Sequence, residues 1–250
     1  MAQPATAGIF DIILPTIQVL QITNMSDSQE IRLGGQVNQQ LLSRQFRLHR
    51  DPDLAAYINN IGQRLVPHSG RPNIPYVFQV VEDDSVNAFA TMGGYVYVTT
   101  GLLAAADNEA EVAGVVGHEV GHIVEKHALD QMRDAAIAQG VAGAFGLSRS
   151  QMVGLAVDVA LHLPNSRKDE LVADAHGFDT MGEAGYDQTA MATFMQKLDS
   201  GRRSPALFST HPNPGDRVER LQAMDSERAI PTATGGTDAT AHTAQVSDLR

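Results

Sequence analysis

Apolar positions change period along the chain, and the changes mark out the elements. Leu54, Tyr57, Ile58, Ile61 and Leu65 recur at helical steps behind Asp51-Pro52, a start signal with proline at the first helical position. An earlier helix opens at Ser26 and Gln29, which stand at capping-box spacing, and reaches about Gln45. From Tyr76 to Val81 and from Tyr95 to Thr100 the residues become β-branched and aromatic, which suits strands. Between them lie Val86-Asn87-Ala88-Phe89-Ala90 and a turn, Thr91-Met92-Gly93-Gly94. Downstream the pattern is helical. A long helix capped by Asp107 or Asn108 is expected to run to about Met132, and the Ala/Gly-rich stretch 135–163 reads as two short helices and a turn. Ser166 caps a further helix closed by Gly185, Asp187 caps one carrying Met191, Phe194, Met195 and Leu198, and Asn213-Pro214 opens the last, through about Met224. Residues 226–250 are polar, without an apolar period, and are expected to be disordered because they bury too little surface to offset their ordering entropy. The expectation is an α+β fold, mainly helical, with a small sheet from about 76 to 100 packed on the long helix. The predicted organisation is an extension at 1–25, one domain at 26–225 and a tail at 226–250.

At 250 residues and 43% hydrophobic content the chain can bury a substantial core. Its 29 acidic against 18 basic side chains give a net charge of -11, which disfavours nucleic acid or an anionic membrane as partner. There is no cysteine, so disulfides, thiolate metal sites and cysteine nucleophiles are excluded. The apolar stretch Ile9 to Ile22 is interrupted by Asp11, Pro15 and two glutamines and lacks the basic start of a secretory signal, and no transmembrane segment is expected.

One constellation carries chemistry. His118-Glu119-Val120-Gly121-His122 is an HExxH motif inside the predicted long helix. Positions i and i+4 differ by about 40° in azimuth and about 6 Å in rise, so two imidazoles can grip one metal ion. Glu119 lies about 100° round from His118, placed to take a proton from a water on that ion. Val112, Val116, Val120, Ile123 and Val124 form an apolar stripe expected to face the core, with Glu111, His118, His122 and Glu125 on another face. Gly114, Gly117 and Gly121 each cost about 1 kcal/mol of helix propensity, so something should pack very close to this helix.

A catalytic zinc site needs a third protein ligand. Glu170 is the candidate. It shares a helix face with Asp174, whose carboxylate could orient a ligating imidazole. Asp169 reads as an ordinary acidic residue at a helix start. His211 precedes Pro212, which restricts its backbone, and Arg217 follows in the next helix. Spacing leaves open whether His211 donates to an oxyanion or takes the fourth metal position. His127 is five residues past His122, about 140° round a continuous helix, and is not read as a ligand. His49, His68, His162, His176 and His242 carry no signal.

These blocks together resemble the HtpX-like and BepA-like zinc metallopeptidases, gluzincins related to the CAAX prenyl proteases. The resemblance spans roughly Ser26 to Met224. It rests on Asp51-Pro52-x-Leu54-x-x-Tyr57-Ile58, on Asn87-Ala88-Phe89-Ala90 with Gly93-Gly94, on His118-Glu119-x-x-His122, on Ser166-Arg167-x-x-Glu170-x-x-Ala173-Asp174, and on His211-Pro212 with Arg217. It implies a zincin-type fold with one Zn2+ per chain on His118, His122 and Glu170, and Glu119 as general base. It further implies Asp174 as a carboxylate behind the ligands, and His211 near the metal or the transition state, as a switchable fourth ligand or a donor. Arg217 would support the site or the oxyanion. The strand Gly94, Tyr95, Val96, Tyr97 would be the edge that pairs with an extended substrate, a mode tolerant of sequence. Met92 departs from the proline common at that place. The membrane spans of some relatives and the C-terminal helical repeat of others have no counterpart in this sequence.

The implied activity is zinc-dependent endopeptidase action on unfolded or misassembled polypeptides, in a periplasmic or exported setting, with a cytoplasmic one as alternative. The rival from another class is a non-hydrolytic, chaperone-like peptide-binding module on the same strand. A latent enzyme gated by segment 135–163 is the second, against which stands the reading of that segment as an ordinary helical hairpin completing the core.

Overall fold

The computed structural model describes residue 22 and residues 24–139, 147–200, 206–227 and 233–249. Helix α1, Asp27–Arg44, starts in a complete Ser26/Gln29 capping box, and α2, Pro52–Leu65, starts on Asp51. Three strands follow, β1 (Val77–Val81), β2 (Ala88–Thr91) and β3 (Tyr95–Thr99). A short α3 (Thr100–Ala105) leads to α4 (Glu109–Val124), capped by the Asn108 side chain. Then come α5 (His127–Ala138), α6 (Arg149–His162), α7 (Arg167–Glu183), α8 (Thr189–Asp199), α9 (Leu207–Thr210), α10 (Pro214–Ser226) and α11 (Ala239–Gln245). The result is the expected mostly helical α+β architecture with one small sheet. Residues 1–21 of the expected extension, and 140–146 near the tip of the Ala/Gly-rich segment, lie outside the described residues. Among the described residues no helix is long and apolar enough to cross a membrane.

The sheet order is β1-β3-β2. β3 pairs in parallel with β1, Val77 opposite Tyr95, and antiparallel with β2, Thr91 opposite Tyr95. The Gly94 carbonyl accepts from Val77 N–H at 2.9 Å. This overturns the edge-strand expectation for Gly94, Tyr95, Val96 and Tyr97. Both flanks of β3 are taken, and the outer strand beside α4 is β2. Alternate β3 residues enter two cores. Val96 and Val98 join α2, α4, α7 and α8, while Tyr97, stacked on Phe89 at 4.5 Å, joins α1, α5 and α6.

Three other expectations are corrected. First, α4 has no solvent face, since every residue from Ala110 to Ile123 is buried. The helix runs through the centre of the molecule, so its histidines need partners from protein on all sides. Second, the long helix stops at Val124 rather than Met132. Arg71 Nη1 donates to Ile123 O at 2.8 Å, buried Glu30 holds Arg71 Nη2 at 2.8 Å, and Lys126 adopts a left-handed φ of 58° that turns the chain into α5. Third, the tail is not disordered over 233–249. Asp238 caps α11, Ala110 N–H donates to Gly236 O, Val246 is fully buried, and buried His242 lies 2.8 Å from the Tyr57 hydroxyl. Two side chains and a few backbone bonds anchor it, so there is no apolar period to read. The α5–α6 pair packs its apolar side on α1 and the sheet, as a hairpin completing the core would.

Candidate metal centre

Two helices build the centre, and glycines let them touch. A Cβ at Gly121 would stand 2.8 Å from Ala173 O, and one at Gly117 would stand 3.2 Å from Gly177 O. The close neighbour that three α4 glycines implied is therefore α7, with Gly114 against Met191 of α8. This approach carries Glu170, in the first turn of α7, to the HExxH histidines one turn before α4 ends. The Ser166 cap, closed by Asp169 in a capping box, fixes that first turn.

His118, His122, Glu170 and His211 each present a donor atom, all within 4.8 Å of one another. His118 Nε2 lies 3.0 Å from His122 Nε2 and 3.2 Å from His211 Nδ1. Glu170 Oε1 is 3.3 Å from His122 Nε2 and 3.1 Å from His211 Nδ1, and its Oε2 is 3.5 Å from His118 Nε2. A zinc tetrahedron with bonds of about 2.0–2.1 Å has edges of about 3.4 Å, so the donor spacing fits one ion. Charge fits as well. Glu119, Glu170 and Asp174 are buried with Arg217. Three carboxylates against one guanidinium leave a deficit that a divalent cation would fill.

The surrounding bonds set the tautomers. Asp174 Oδ1 lies 2.8 Å from His118 Nδ1, which as N–H donor leaves the Nε2 lone pair facing the other donors. Arg217 grips Asp174 with two bonds, Nε to Oδ2 at 2.7 Å and Nη2 to Oδ1 at 2.6 Å. Its Nη1 lies 2.7 Å from Glu170 Oε2. The guanidinium is thus spent on Asp174 and Glu170. Burial would raise the Asp174 pKa, but Arg217 and His118 pull it down to about 2. Burial likewise opposes ionisation of Glu170, and the His211 and His118 charges with hydrogen bonds from His122 and His211 hold it well below the carboxylate range. Burial, with the neighbouring His118 and His211, pushes His122 well below its ordinary value despite Glu170. His211 is raised, because Glu119 and Glu170 outweigh its burial. Glu119 is 1% exposed, its Oε1 3.4 Å from His211 Nε2 but not aligned for a hydrogen bond.

The predicted residues His118, Glu119, His122, Glu170, Asp174, His211 and Arg217 all meet here. Two neighbours were missed. His127, dismissed on the assumption of a continuous helix, is brought back by the left-handed Lys126 to 2.8 Å from His122, Nδ1 to Nδ1. Burial lowers its pKa against the pull of Asp169. Asn165 places its amide nitrogen 3.5 Å from His122 Nε2 and 3.4 Å from His211 Nδ1, and its backbone N–H donates to Thr210 O. Nothing in the residue pattern signals either contact.

Known proteins resemble the chain over most of its length. A sequence profile described as Peptidase family M48 matches residues 52–225. The putative beta-barrel assembly-enhancing protease of Vibrio cholerae is 31% identical over 232 residues, 86% of this chain and 48% of that protein. The beta-barrel assembly-enhancing protease of Escherichia coli strain K12 is 32% identical, again over 86% of this chain and 47% of its own length. The metalloprotease LoiP of the same strain is 28% identical over 85% of this chain and 87% of LoiP. The chain spans about half the length of the beta-barrel assembly-enhancing proteases it matches.

Proposed function

The chain belongs to peptidase family M48, and on that footing we propose that it is a zinc-dependent endopeptidase acting on unfolded or misassembled polypeptides. The observation that carries the reading is the convergence of His118, His122, Glu170 and His211 on one point beside Glu119. His118, His122 and Glu170 would hold the ion. When bound there, zinc supplies Lewis-acid polarisation of the scissile carbonyl and acidifies water. Glu119 takes the proton of the attacking water and passes it to the leaving amine. Asp174 orients His118, and Arg217 fixes Asp174 and Glu170 so that the ligand set is preorganised. His211 would occupy the fourth donor position in the absence of substrate and would donate to the oxyanion when substrate is bound.

An extended peptide adds to the outer edge of β2, Ala88–Thr91, through main-chain hydrogen bonds. The donors His118, His122, Glu170 and His211 are 0–7% exposed, so the centre is shielded from bulk solvent. Similarity to proteases named for beta-barrel assembly, with the lack of cysteine, supports a periplasmic setting.

The test is Glu119→Gln, assayed for metal content and for cleavage of casein. The variant keeps its zinc and loses turnover. Cleavage at the parental rate would remove Glu119 as the base.

A further inference from the structure

We propose that His127 is a positioning residue for His122, the middle link of a chain Asp169–His127–His122 that fixes the tautomer and orientation of the ligating ring. The inference rests on His122 binding metal through Nε2, as proposed above. That mode leaves Nδ1 as the only ring nitrogen able to carry hydrogen. His122 Nδ1 faces His127 Nδ1 at 2.8 Å, in a site where His127 is 7% exposed. Two facing ring nitrogens at that distance need one donor and one acceptor, so His127 accepts through Nδ1 and carries its hydrogen on Nε2. That Nε2 points to Asp169 Oδ1 at 3.6 Å, longer than a hydrogen bond but within reach of the carboxylate's charge. Asp169 therefore has a second use beside its capping box with Ser166.

Two further features make the contact more than chance packing. The backbone departs from helix at Lys126, a non-glycine residue at φ 58°. That conformation is strained for a residue with a side chain, and it turns His127 back onto His122. The two ligand histidines are also backed differently. His118 has the carboxylate of Asp174, while His122 has a neutral ring. With Glu119, Glu170 and Asp174 already balanced by Arg217 and a divalent ion, another carboxylate would leave the buried centre negative. An imidazole orients His122 without adding charge.

The test measures zinc affinity by chelator competition for the full chain, His127→Ala, His127→Asn and His122→Ala, alongside the melting temperature of each metal-free protein. Asparagine can place a carbonyl oxygen near the Nδ1 position. His127→Ala weakens zinc binding by about 10- to 100-fold, and His127→Asn recovers most of it. Wild-type affinity in His127→Ala, or equal loss in both variants, would overturn the proposal. If His127→Ala does not fold, failure of His127→Asn to bind better than a His127→Leu variant overturns it equally. Unchanged zinc binding by His122→Ala would instead show that the ligand assignment itself is wrong.

Discussion

Gly177 of α7 rests on the backbone of His118. A Cβ at Gly177 would stand 2.7 Å from the His118 amide nitrogen. Glu170 reaches His118 and His122 only because this crossing is bare.

Gly177→Ala should therefore push the helices apart, since the obstacle is backbone and cannot rotate away. We expect a loss of about 1–3 kcal/mol in stability and at least a tenfold loss in zinc affinity. Denaturant titration and chelator competition check both. Gly154→Ala, where an added Cβ meets nothing, is the control that should cost neither.

Asp174 gives the pH dependence a sign. Its carboxyl titrates at about 2 in the folded chain against an ordinary 3.8, so the unfolded chain binds the proton more readily. Its contribution is complete above pH ~4 and is lost as the pH falls through the folded value. Removing the charge in Asp174→Asn leaves Arg217 half-paired, at a cost of about 3–5 kcal/mol at neutral pH. Denaturant curves should show the gap between wild type and variant narrowing as both are taken from pH 5 toward pH 2. A constant gap would mean that the carboxylate charge is not what stabilises this cluster.

His211 predicts a contrast with the other donors. In His211→Ala three protein ligands remain, enough for a catalytic zinc site, so the metal stays. A small hydroxamate inhibitor no longer competes with the imidazole and should bind at least tenfold tighter. Unchanged inhibitor affinity would place His211 away from the fourth position.

The C-terminal segment is structural. Val246 is fully buried in the main core, so Val246→Ala should cost about 2 kcal/mol and lower the melting temperature. An unchanged melting temperature would mean that the segment does not dock.

Local chemistry explains which features were legible. The caps at Ser26, Asp51 and Ser166 announce helix starts because their side chains replace missing backbone partners within three residues. The HExxH spacing and the α4 glycines translate directly into a shared face and a close neighbour. What was hidden depends on contacts distant in sequence. The end of α4 is set by Arg71 and Glu30, the place of β3 by pairing with Val77, and the docking of 233–249 by Gly236 and Val246. His127 was missed for the same reason, since its position follows from where α4 stops.

The central claim is that one divalent ion sits between two imidazoles of α4 and a carboxylate of α7. Elemental analysis of the purified protein beside His118→Ala and Glu170→Ala tests it most directly. We expect one zinc per chain in the wild type and loss of it in both variants, each still folded by circular dichroism. A wild-type protein without stoichiometric metal, or a Glu170→Ala variant that retains it fully, would contradict the account.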